Sequence, residues 1–127
     1  MFGPDEERFY GSIEKLLEYC DRIAIYMHRF GGKDAFLTDM AYQDACVMVL
    51  GQIGETCKTI EPQLRTRSDY DWSTVIRFRD FIYHNYSSTR YDIVWGIMVN
   101  DIPAVQKILM KIMAGYEQDQ KTEDPEH

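Results

Sequence analysis

Residues 9–30 read FYGSIEKLLEYCDRIAIYMHRF, and the spacing within them decides the fold. Phe9, Ile13, Leu16, Leu17, Cys20, Ile23, Ala24, Met27 and Phe30 recur at three- and four-residue steps, the stripe of one long amphipathic helix. Pro4 and the acids Asp5, Glu6 and Glu7 suit its N-terminal end, where negative charge meets the positive end of the helix dipole. Gly31-Gly32 stops it.

The same period continues outward from this helix. Thr38 or Asp39 can cap a second helix with the apolar set Tyr42, Ala45, Met48, Val49, Ile53 and Ile60. Pro62 and the polar stretch 65–69 interrupt the pattern. Asp71 is a cap for a third helix through Val75, Ile76, Phe78, Phe81 and Ile82, and a short fourth holds Ile93, Val94, Trp95 and Met98. Asp101 reads as the N-cap of a last helix, with Pro103 in its first turn and Val105, Ile108, Leu109, Ile112 and Met113 along one face. No strand alternation and no internal repeat competes with this reading. The expected fold is all-α, an antiparallel four- to five-helix bundle. Its body spans 1–116, and 117–127 form an acidic flexible tail.

Composition agrees with a single folded domain. The chain has 127 residues, 45% of them hydrophobic and 28% charged, which is apolar enough for a core and too apolar for wholesale disorder. No run of about 18 apolar residues occurs, so no membrane span is expected. The acidic start lacks the basic and apolar regions of a signal peptide, and the expected location is cytoplasmic. The three cysteines, Cys20, Cys46 and Cys57, form no CxxC pair and find no histidine spaced to complete a zinc site. They read as buried thiols. The formal charge of −7 argues against a nucleic-acid partner only until its distribution is considered. Residues 117–127 and 1–8 carry most of the excess acid, whereas residues 58–90 are net basic through Lys58, Arg65, Arg67, Arg77, Arg79 and Arg90. Net charge therefore excludes no partner.

Most enzyme signatures are missing. There is no GxGxxG, no GxxxxGK[ST], no HExxH, no GxSxG and no paired Glu-x-x-His of a bundle di-iron site. Neither a metal nor a cofactor is expected. One dense polar and aromatic stretch remains, Arg77-Phe78-Arg79-Asp80-Phe81-Ile82-Tyr83-His84-Asn85-Tyr86. Asp80 and His84 are four apart and share a helix face, so the carboxylate can hold the imidazole in one tautomer. Arg79 and His84 are five apart and diverge by about 140° on an ideal helix. They converge only if the helix distorts or if two copies of the chain pool their side chains. An arginine beside a histidine suits cleavage of a phosphodiester by the RNA 2′-hydroxyl: the imidazole moves the proton and the guanidinium neutralises the phosphorane. Spacing alone leaves that chemistry open against a solvated helix face held by an ion pair.

Arg79-Asp80-Phe81-Ile82-Tyr83-His84-Asn85-Tyr86 resembles the Arg-polar-x-x-x-His-x-Tyr signature of HEPN-domain ribonucleases, specifically the HepT-like toxins. Leu50-Gly51-Gln52-Ile53-Gly54-Glu55 is similar to that family's Gly-Glu segment, Trp72 precedes the arginine, and Tyr91-Asp92-Ile93-Val94-Trp95 and Pro103 follow in order. The resemblance runs from about Phe9 to Ile112. It implies a homodimeric HEPN-like bundle with both motif copies lining a cleft between subunits. It also implies a metal-independent endoribonuclease toxin that acts on RNA and is neutralised by a minimal nucleotidyltransferase antitoxin. Arg79 and His84 would be its catalytic pair, Asp80 the supporting polar residue, and Tyr86 the hydroxyl that receives AMP. Two positions depart from many relatives, which have asparagine where Asp80 stands and glycine where Asn85 stands. The rival reading of the same residues is a non-catalytic helical module that binds a nucleotide or a partner protein. By residue type alone, Glu55 reads as a buried ion-pair partner or helix-packing residue, and Tyr83 and Trp95 as core or interface aromatics.

Overall fold

The computed structural model describes residues 3–84 and 90–123, with side chains at 3–82 and 90–118. Among the described residues every regular element is helical: α1 (Pro4–Phe30), α2 (Lys33–Thr38), α3 (Met40–Thr59), α4 (Glu61–Arg67), α5 (Trp72–His84), α6 (Tyr91–Gly96) and α7 (Ile102–Glu123), with a π-helical turn at Ile97–Asp101.

α1 follows its stripe. Phe9, Ile13, Leu16, Cys20 and Ile23 are buried, Pro4 lies in the first turn with Asp5, Glu6 and Glu7, and the amide of Gly31 caps the end on the Met27 carbonyl. Gly31 has φ 113°, a backbone state that only glycine adopts without strain. The turn it makes is pinned from α3, where the Tyr42 hydroxyl donates to the Gly31 carbonyl at 2.8 Å. Of the two candidate caps, Asp39 serves: its Oδ1 accepts from the amides of Ala41 at 3.0 Å and Tyr42 at 3.2 Å. Thr38 instead ends α2, bonding back to the Asp34 carbonyl.

Two short helices, α2 and α4, fill stretches with no readable period. Each is anchored by a single buried residue, Phe36 in α2 and Leu64 in α4. Phe36 meets Tyr42 edge-on at 5.0 Å, Tyr91 at 5.9 Å and Trp95 at 5.6 Å, so α2 docks α3 and α6 together. Buried Gln43 satisfies its amide by donating to the Phe36 carbonyl at 2.9 Å, which meets the rule that buried polar groups find partners.

The C-terminal region corrects one expectation. Asp101 is not an N-cap; it closes the π-helical turn that carries α6 into α7 without a break. Residues 91–118 thereby form one rod, long and apolar enough by length and composition to cross a membrane. Its stripe of Val94, Met98, Ile102, Val105 and Leu109 joins the common core. α7 itself extends to Glu123. A second correction concerns Met48, which is 71% exposed although its spacing assigns it to the apolar set of α3.

α3 is the centre of the arrangement. It packs on α5 along the most extensive helix pairing among the described residues and on α1 along its other side, while α1 also carries α7. Arg79 of the motif lies on the α3–α5 seam, against Gly54 and Glu55.

Candidate active site

The segment before α5 explains why the motif starts where it does. Asp71 accepts from the amide and the hydroxyl of Ser73, an N-terminal cap for α5, and these bonds hold its carboxyl below the usual range. Trp72 is buried beneath this turn, and its indole N–H donates to the Ser68 hydroxyl at 2.9 Å. Val75, Phe78 and Ile82 then face the core, which turns Arg79 toward the edge of α3.

At that edge Gly54 sits against α5. A Cβ at position 54 would lie 3.1 Å from the Val75 carbonyl oxygen, and 3.3 Å from both the amide nitrogen and the Cβ of Arg79. A Cβ there would require α5 to give way by a few tenths of an ångström, and glycine lets the two helices approach without that shift. The next residue, Glu55, meets the same arginine side chain: Arg79 Nε and Glu55 Oε2 form an ion pair at 2.9 Å. Arg79 is 38% exposed and Glu55 51% exposed, so the pair is wet and reachable. The ion-pair role expected of Glu55 is observed, with the motif arginine as partner, but Glu55 is exposed and not buried as expected, because it stands on the outer edge of α3.

The other motif positions are placed unevenly. Asp80 is exposed on α5, one residue beyond Arg79. His84 is the last residue of α5 in backbone, and its side chain, like that of Tyr83, lies outside the described residues. Tyr86 and Asn85 lie outside them entirely. Arg90 is paired with Asp92 at 2.9 Å. Tyr91 and Trp95 pack on Phe36 as parts of the core aromatics. Within one straight helix, Arg79 and His84 still leave the axis about 140° apart.

Among the described residues no group of three or more His, Cys, Asp and Glu side chains is clustered as a metal site would require. An open groove of about 800 Å³ lies elsewhere, lined by Tyr10, Arg67, Tyr70 and Lys111 among others, and contains no motif residue. Its arginine is already engaged, 4.4 Å over the Phe9 ring and 3.6 Å from Glu6, with Asp69 adding further negative charge. It is a poor phosphate site despite its size. Sequence reading missed the meeting of Glu55 with Arg79. The Gly-Glu dipeptide is visible in the chain, but its partner is set by how α3 and α5 pack.

Comparison with known proteins identifies relatives of the chain. Residues 16–112 match the family model described as "Ribonuclease HepT-like". Over 85 residues, 66% of this chain and 70% of the relative, the sequence is 32% identical to "Putative RNase MJ0127" of Methanocaldococcus jannaschii. Over 102 residues, 80% of this chain and 90% of the relative, it is 26% identical to "Putative RNase TTE0752" of Caldanaerobacter subterraneus subsp. tengcongensis. No solved structure matches the chain significantly. The matched span takes in α3 and α5, and with them Gly54, Glu55 and the whole of the Arg79–Tyr86 motif; the chain belongs to the HepT-like ribonuclease family.

Proposed function

We propose that this protein is a metal-independent endoribonuclease toxin that works as a homodimer. The observation that carries the reading is the reachable Arg79 guanidinium, held by Glu55 on the α3–α5 seam and followed five residues later on the same helix by His84. His84 takes the proton from an RNA 2′-hydroxyl, and that oxygen attacks the adjacent phosphorus. The 5′-oxygen leaves with a proton, giving a 2′,3′-cyclic phosphate and a 5′-hydroxyl end. Arg79 stabilises the extra negative charge of the phosphorane, and Asp80 orients the imidazole across one helical turn.

The homodimer answers the divergence of Arg79 and His84, because two facing copies of α5 bring an arginine of one and a histidine of the other into one cleft. The outer ridge of α3 supports this, since Met48 is 71% exposed in line with Gln52 and Glu55. The antitoxin, a minimal nucleotidyltransferase, transfers AMP to the Tyr86 hydroxyl and closes the cleft with bulk and charge. The site of action is the cytoplasm.

The test is incubation of the purified chain with total RNA in chelator, followed by end-group analysis. Cyclic phosphate ends are expected from the parent chain and none from Arg79→Ala or His84→Ala. A metal requirement, or cleavage retained in both variants, overturns the reading. The exposed Asp80, an acid beside the phosphate-binding arginine, favours a second reading as a non-catalytic binding module. That module retains RNA or nucleotide without cutting RNA in the same assay.

A further inference from the structure

We propose that Gly54 and Glu55 together form a cradle that aims Arg79, with Glu55 as a positioning residue; this rests on the ribonuclease reading above. The two ends of the arginine side chain are set by two adjacent residues of one helix. At the root, the space that a Cβ at 54 would need is taken by the Arg79 amide and Cβ at 3.3 Å and by the Val75 carbonyl at 3.1 Å. The Cα of Arg79 is thus registered against α3. At the tip, the ion pair of Nε with Glu55 Oε2 at 2.9 Å draws the guanidinium toward the edge of α3.

Stability does not account for this contact. With both partners more than a third exposed, the pair contributes no more than about 1 kcal/mol to folding and is screened by salt. The rotamer freedom of a long arginine side chain is a cost to be met when the phosphate binds. Holding the group beforehand moves that entropic cost out of the reaction step. Holding it by Nε, an atom lysine lacks, demands arginine rather than a positive charge as such. Glu55 itself needs no contact with RNA. It acts through Arg79.

The experiment compares Glu55→Ala, Glu55→Gln and the parent chain on a fluorophore-quencher RNA oligonucleotide of mixed sequence. Glutamine keeps an oxygen for Nε to meet; alanine does not. Turnover number in Glu55→Ala is expected to fall about tenfold with KM changed by less than about twofold, since the loss is one of orientation in the transition state. Glu55→Gln is expected to stay within about threefold of the parent, and both variants to melt with it. A second readout needs no catalysis: hydrogen exchange at the Arg79 Nε–H, identified in the nitrogen-15 spectrum by its loss in Arg79→Lys, is faster in Glu55→Ala than in the parent or in Glu55→Gln. Unchanged turnover in Glu55→Ala, or equal impairment of the alanine and glutamine variants, overturns the assignment. If the parent cuts no RNA, the ribonuclease reading falls separately, and unchanged Nε–H exchange in Glu55→Ala then overturns the cradle.

Discussion

Gly54 on α3 and Arg79 on α5 meet backbone to backbone, with 3.3 Å between the place a Gly54 Cβ would occupy and the Arg79 amide nitrogen. The atoms in the way belong to main chain and to a Cβ, so no flexible side-chain end can swing aside. Everything built on Arg79 depends on that closeness, including its ion pair with Glu55.

Gly54→Ala is therefore expected to push α5 outward by a few tenths of an ångström and to cost about 1–3 kcal/mol of stability, the usual cost of overpacking. Urea denaturation measures the stability change. RNA cleavage measured well below the melting transition should fall as well, because the root of Arg79 has moved. Full stability and full activity in Gly54→Ala would show that the crossing is loose.

Arg79→Lys keeps the positive charge and loses the Nε that pairs with Glu55. A fall of at least about tenfold in cleavage is expected, because a guanidinium fork and an ammonium point charge are not interchangeable where planar contacts fix the geometry. Stability should change by less than about 1 kcal/mol, as for other half-exposed pairs. Steady-state kinetics beside a thermal melt separates the two effects, and parent-like cleavage by the lysine variant would count against an aimed guanidinium.

The thiols of Cys20, Cys46 and Cys57 are fully buried and pushed up by that burial from 9.0 to about 12. In the unfolded chain they ionise near 9, whereas in the folded chain they stay protonated. Above pH 9 the unfolded state therefore holds fewer protons, and stability must fall as pH rises from about 9 toward 12. Below pH 9 these groups add no pH dependence. Denaturant titrations at pH 8 and pH 10.5 check the sign, and Cys57→Ala should flatten part of the decline. At pH 8 none of the three should react with a thiol reagent faster than the chain unfolds.

Tyr42→Phe removes the hydroxyl that donates to the Gly31 carbonyl at 2.8 Å. A loss of about 1–2 kcal/mol is expected, the value of one hydrogen bond together with an acceptor left short of its partner. Gly54 and Glu55 lie elsewhere on α3, so cleavage at temperatures well below melting should be unchanged. A calorimetric scan with a parallel cleavage assay tests both halves.

Met48→Asp places a charge on the exposed apolar ridge of α3 in line with Glu55. If copies of the chain associate through this face, self-association should weaken at least about tenfold, as charge is excluded from the centre of such interfaces. Sedimentation equilibrium gives the association constant, and the helical circular dichroism should not change. Undiminished association would move the interface away from α3.

The long elements were legible because their periods run for many turns. α1 could be read from its stripe, its acidic first turn and its glycine stop, all of them local signals. α2 and α4 span under two turns, too few for any period to emerge, and their stability comes from Phe36 and Leu64 reaching the core. Asp101 carried the marks of a cap, an acid just ahead of Pro103, yet the chain there stays helical through a π-helical turn. Met48 fits the spacing of a core residue, but α3 leaves that edge uncovered.

The candidate site divides along the same line. Arg79, Asp80 and His84 stand on one helix, and their angular relationships follow from helical pitch, so residue spacing is enough to relate them. No local rule joins Glu55 to Arg79. That contact exists because a residue without a Cβ lets α3 and α5 close to touching distance, and such a meeting depends on packing between segments far apart in the chain.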